Sequence, residues 1–156
     1  ADTVFLVVAD HDSRVLGQSL VPVDNFRIPG LILGAGVEPR RDTRLVSQVD
    51  LAPTLLSLLG IDDATPLLGR DLNRDDPTAH GRAPMQYDAN FGWLEDDGTL
   101  VVLQPGQAPR AFVHRPGRPL VASGAPSAEA QRLAALHALW GTVAYERGWY
   151  RLPEGP

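Results

Sequence analysis

Val4-Phe5-Leu6-Val7-Val8-Ala9 is an unbroken apolar run that ends on a carboxylate and an imidazole, Asp10-His11. A β-branched run of this kind predicts a strand buried on both faces, of the parallel α/β type. Ligands of open α/β sheets lie beyond the carboxyl ends of the strands, which is where Asp10 and His11 fall. A polar stretch, Asp12-Ser13-Arg14, opens a loop that includes Gly17 and Pro22. Ile28-Pro29-Gly30-Leu31-Ile32-Leu33-Gly34 predicts a second strand, with Pro29 near its start, where one missing ladder donor is tolerated. Ser47 to Gly60 predicts a helix packed against the sheet. Asp50 caps its first turn, and Pro53 falls where a missing N–H is harmless. Leu51, Leu55, Leu58 and Leu59 share one face, and Gly60 supplies a left-handed stop.

The second half has a different rhythm. Three strand-like pieces, Met85 to Asp88, Thr99 to Gln104 and Ala111 to His114, alternate with turn signals at Asp96-Asp97-Gly98 and Pro105-Gly106. Short turns join antiparallel neighbours, so this half predicts a small antiparallel meander. Pro116 to Pro126 reads as a Gly/Pro-rich linker. Ser127 then caps a last helix with an apolar stripe of Leu133, Leu136, Trp140, Val143 and Ala144, ended by Gly148. His137 borders that stripe and reads as a boundary residue, not a ligand. Trp149, Tyr150 and Pro153 predict a tail folded back on the core. The expected fold class is α/β: buried parallel-type strands with helices, a small antiparallel meander and a C-terminal helix. Residues 1–82 form the α/β segment with the candidate site and residues 83–156 the meander and helix, within one compact unit.

Composition narrows the functional classes. The 156 residues suffice for one domain with a real core, and 44% hydrophobic with 21% charged residues fits a globular chain. No apolar run approaches the roughly 20 residues of a membrane span. A net charge of -5, with arginines interleaved among acids as at Arg40-Arg41-Asp42, argues against a nucleic-acid surface. The absence of cysteine removes disulfides, thiolate metal sites and a thiol nucleophile. The chain also starts two residues before a strand that needs neighbours on both sides, as expected for the tail of something larger.

Val8-Ala9-Asp10-His11, Ile28-Pro29 before an apolar strand, Ser47-Gln48-Val49-Asp50-Leu51-Ala52-Pro53-Thr54-Leu55-Leu56 and Gly69-Arg70-Asp71-Leu72 follow one another in this order. In this the chain resembles the C-terminal part of a sulfatase-type enzyme of the alkaline phosphatase superfamily. Within that family it is most similar to the lipoteichoic acid synthase and phosphoglycerol transferase branch. The resemblance implies metal-assisted transfer at a phosphate or sulfate ester, with Asp10 and His11 as two ligands of one divalent metal. Manganese is the first expectation, with zinc or calcium as the others. A carboxylate with an imidazole suits manganese or zinc better than cations that prefer all-oxygen sites. The family's nucleophile and remaining ligands precede the Asp-His pair. No catalytic residue is therefore expected in this chain, its partner is the upstream half of the same enzyme, and alone it should be silent. Relatives in this branch carry N-terminal membrane helices, which implies the periplasmic or cell-surface side of a bacterial membrane for the whole protein.

Two positions depart from the family pattern. Asp12 follows His11 where sulfatases usually have glycine, and its side chain could support His11 from behind. Arg27 stands where transferase relatives often have histidine before Ile-Pro, and it could bind a phosphate or sulfate oxygen bidentately or simply face solvent. Arg14 is a weaker anion candidate, and no base is placed to activate Ser13. Two other readings compete: a receiver-like signalling module, which requires a helix directly after Asp10-His11, and a non-catalytic α/β binding module.

Overall fold

The end of β1 (Val4–Val8) carries Asp10-His11, and the computed structural model shows this strand paired with β2 (Gly30–Gly34). The structure describes residues 3–12, 17, 19–34, 36–62, 65–74 and 80–150; Ser13, Arg14 and Pro153 lie outside the described residues. The β1–β2 ladder is antiparallel, Val4 opposite Gly34 through to Val8 opposite Gly30, which corrects the parallel expectation. The reason is the connection between them. Its described residues hold one 3-10 turn, Val23–Phe26, and no crossover helix of the kind a parallel pairing requires. Burial along β1 alternates: Val4, Leu6 and Val8 are half-buried, whereas Phe5 and Val7 are exposed. Phe5 lies opposite Leu33 and Val7 opposite Leu31, so four apolar side chains make an exposed patch on one face.

α1 (Leu51–Leu58) is entered through a 3-10 turn over Gln48–Asp50 and stops at Gly60, which takes the left-handed φ of 71° expected of it. Its buried side chain is not one of the predicted leucines but Thr54; Leu59 is exposed. Thr54 Oγ1 donates to the Asp50 carbonyl at 2.6 Å and accepts from the Leu72 amide at 2.9 Å. Asp50 is fully buried, and its Oδ1 accepts from the Arg70 amide at 2.8 Å and from Arg82 Nη1 at 3.1 Å. Oδ2 accepts from the Ser47 amide at 2.9 Å and from Arg70 Nη2 at 3.2 Å. Two residues one helical turn apart thus grip the backbone of residues 70–72. The two family-like stretches of sequence are halves of one latch. Gly69 makes it close: a Cβ there would come 1.9 Å from the Val49 carbonyl oxygen. Gly69→Ala is therefore expected to lower stability by about 1–3 kcal/mol in urea unfolding, because backbone must shift to admit the methyl.

The second sheet is an antiparallel meander in chain order: β3 (Arg82–Tyr87), β4 (Asn90–Glu95), β5 (Thr99–Leu103), β6 (Arg110–Val113) and β7 (Val121–Gly124). The three predicted pieces correspond to β3, β5 and β6. β4 escapes the hydrophobic pattern because Gly92 interrupts it, yet Gly92 is required there, since Val21 methyls stand 3.2–3.3 Å from a Cβ at that position. β7 lies inside the expected linker. All four of its residues are exposed, so its backbone pairing with β6 leaves no apolar alternation to read. One face of this sheet packs Met85, Leu94, Leu100, Val102 and Phe112 on Val21 and Val23 from the β1–β2 connection. The other packs Trp93 and Val101 under α2 (Ala128–Arg147) through Ala130 and Ala134. Small alanines let the helix sit down on Trp93, which shifts the buried face away from the predicted stripe and leaves Leu136 exposed. Ser127 Oγ accepts from the Ala130 amide at 3.1 Å, and Gly148 ends the helix as expected. Trp149 packs on Trp140 with ring centroids 5.1 Å apart, and Tyr150 stacks on Tyr145 at 5.6 Å.

His137 is half-buried with its ring 4.3 Å from that of Trp93, and its Nδ1 faces the Leu133 carbonyl at 3.0 Å. Burial holds its pKa below the usual histidine value, so the folded state keeps it neutral. Below about pH 6.5 the unfolded chain takes up the proton more readily, and stability falls with pH. The urea midpoint of the natural chain is expected to drop more between pH 7.5 and 5.5 than that of His137→Phe.

Candidate metal-binding turn

The last rung of the first sheet runs from the Ala9 amide to the Pro29 carbonyl, at 3.4 Å, and beyond it the chain turns. Asp10 Oδ1 accepts from the His11 amide at 2.9 Å, which folds the carboxylate back over the turn. That brings Asp10 Oδ2 to 3.4 Å from His11 Nε2. His11 Nδ1 faces the Asp12 backbone carbonyl, an acceptor that keeps the proton on Nδ1 and the lone pair on Nε2. The Asp12 main chain thus supports His11 directly, and the Asp12 charge adds to the effect. The same contact, helped by the Asp10 carboxylate, raises the His11 pKa above the usual value. A proton thus competes with a cation for this nitrogen at mildly acidic pH.

The donor set fits one divalent cation. Donors each about 2.1 Å from a metal lie at most about 4.2 Å apart, and the carboxylate–imidazole pair falls inside that span. Both side chains are open, Asp10 87% and His11 63% exposed, so further ligands have access. Among the described residues no third histidine, cysteine or carboxylate joins them. Among these residues the turn thus presents two candidate donors and no more.

Arg27 is exposed just before β2, and its backbone amide donates to the Asp24 carbonyl at 3.4 Å. Val8 pairs with Gly30, and Arg27 lies three residues before Gly30 as Asp10-His11 lie just after Val8. Arg27 therefore stands at the same end of the sheet as the turn. Its guanidinium has no ion-pair partner among the described residues.

Gln48 was invisible to the sequence as a site residue. Its Nε2 donates to the Ala9 carbonyl at 3.0 Å and to the Asp10 carbonyl at 3.3 Å, across 38–39 residues of chain. No periodicity marks it, because only the packing of the 3-10 turn beside the end of β1 brings them together. Asp50 was expected to cap the first turn of α1, but its side chain makes no bond to that turn; it reaches back to the Ser47 amide, and its two arginine partners were not legible. Burial alone would push its pKa up, but the Arg70 and Ser47 amides and the Arg82 and Arg70 guanidinium groups outweigh that and hold it below the usual carboxylate value. With both oxygens engaged, Asp50 is structural.

A family model for sulfatases matches residues 1–61, which span β1, the Asp10-His11 turn, β2 and α1. The crystal structure of a protein in the alkaline phosphatase superfamily from Vibrio parahaemolyticus matches 97% of this chain at 42% identity, with a TM-score of 0.85. The chain belongs to the alkaline phosphatase superfamily. Within it the chain is of the sulfatase type, and it spans 37% of the length of the Vibrio protein.

Proposed function

We propose that this chain supplies two ligands, Asp10 and His11, to the divalent-metal site of an enzyme acting on phosphate or sulfate esters. The nucleophile and remaining ligands come from the upstream part of the same protein. The observation that carries this reading is the convergence of Asp10 Oδ2 and His11 Nε2 at 3.4 Å, at the open end of β1. The exposed patch of Phe5, Val7, Leu31 and Leu33 supports it, because an apolar face of this kind needs cover, and more than half of the Vibrio relative lies outside the matched region. Once bound, the cation would act as a Lewis acid, stabilising charge on the transferred group. Arg27 would hold an ester oxygen at the same sheet end. Manganese is the preferred ion for a carboxylate and an imidazole, with zinc or calcium next. The phosphoglycerol transferase assignment, on the outer side of a bacterial membrane, rests on the resemblance carried by the four stretches between Val8 and Leu72. Among the described residues no helix is long and apolar enough to cross a membrane.

Calorimetric titration of the intact protein with Mn²⁺ and Zn²⁺ tests the reading. Saturable binding lost in the Asp10→Ala/His11→Ala variant supports it, and equal behaviour of the two proteins overturns it. The receiver-like alternative is set aside, since β1 and β2 run antiparallel and a 3-10 turn is the helical element described between them.

A further inference from the structure

We infer that Gln48 is the positioning residue of the Asp10-His11 turn, an assignment that rests on the metal reading above. One primary amide offers two N–H groups, and Gln48 Nε2 reaches two consecutive carbonyls, those of Ala9 and Asp10, at 3.0 and 3.3 Å. These are the last main-chain acceptors before the His11 ring. Past the Ala9–Pro29 rung the ladder stops, and at that point Gln48 ties the main chain of the turn to a segment 38–39 residues away. Gln48 is in turn well anchored. Its neighbour Ser47 is buried and hydrogen-bonded to Asp50, and Asp50 is locked by Arg70 and Arg82. The route from the buried latch to the site is therefore short: Asp50 sets the 3-10 turn, the turn sets Gln48, and Gln48 sets the backbone that aims Asp10 and His11. The Ser47–Leu58 region, which sequence alone reads as packing, also serves the site.

The discriminating variant is Gln48→Met, which keeps the length of the side chain and removes both donors. In ¹⁵N-labelled full chain, the order parameters of the His11 and Asp12 amides are expected to fall from about 0.85 to below about 0.6, while those of β3–β6 and the melting temperature hold. The affinity for Mn²⁺ should weaken about tenfold, as for other residues that orient ligands without touching the metal. Gln48→Lys, which restores a donor, should recover the amide order. Unchanged order parameters in Gln48→Met would overturn the assignment whether or not metal binds. Failure of Mn²⁺ to broaden the Asp10 and His11 resonances of the natural chain would instead overturn the metal reading and, with it, the metal-aiming part of this role.

Discussion

Replacing Asp50 with alanine is expected to lower the unfolding free energy by about 3–5 kcal/mol, the usual cost of removing one partner from a buried ion pair. The size follows from what is left behind. Arg70 and Arg82 lose their carboxylate in a site closed to solvent, and the Arg70 and Ser47 amides lose their acceptors. Asp50→Asn separates the contributions: it keeps one acceptor oxygen but no charge, so it should fall between the natural chain and alanine. Equal loss in both variants would show that charge dominates. The pH dependence has a definite sign. Because the folded state holds the Asp50 pKa below the usual value, its contribution is present above about pH 4 and is lost as pH falls through the folded pKa. Urea unfolding at pH 7 and at acid pH checks both statements.

The second large effect is on catalysis. In the intact protein, His11→Ala or Asp10→Ala should lower ester turnover about 10³-fold, since Lewis-acid stabilisation of transferred charge is worth several kcal/mol. The melting temperature should hardly change, as both side chains are exposed and neither packs in the core. That split separates a site residue from Asp50, whose loss acts through folding. Arg27→Ala, at the same sheet end, should weaken turnover with less effect on metal affinity.

How far the sequence carried depends on whether a residue's role is local. Ser127, Gly148, Gly60 and the Asp-His pair act through near neighbours, and each stands where the pattern placed it. Direction of pairing was not local. Val4 to Val8 reads as a strand, but only the route of the following connection makes β2 its antiparallel partner. β4 and β7 were hidden for opposite reasons, one by a glycine that the core requires and the other by having no buried side chain at all. Gln48 and the Arg70 and Arg82 partners of Asp50 depend on contacts across many residues of chain, which one-dimensional periodicity does not encode. The resemblance brought the right stretches together, and the hydrogen bonds explain two of them: Ser47 to Leu56 and Gly69 to Leu72 are one latch, with Gln48 extending it to the turn.

Asp10 and His11 are proposed as ligands of one divalent metal ion. Electron–nuclear double resonance of Mn²⁺ in the intact protein, labelled with ¹⁵N-histidine, reads that contact directly. The half-site predicts a directly coupled imidazole nitrogen that disappears in His11→Ala. A nitrogen coupling unchanged by that substitution would contradict it.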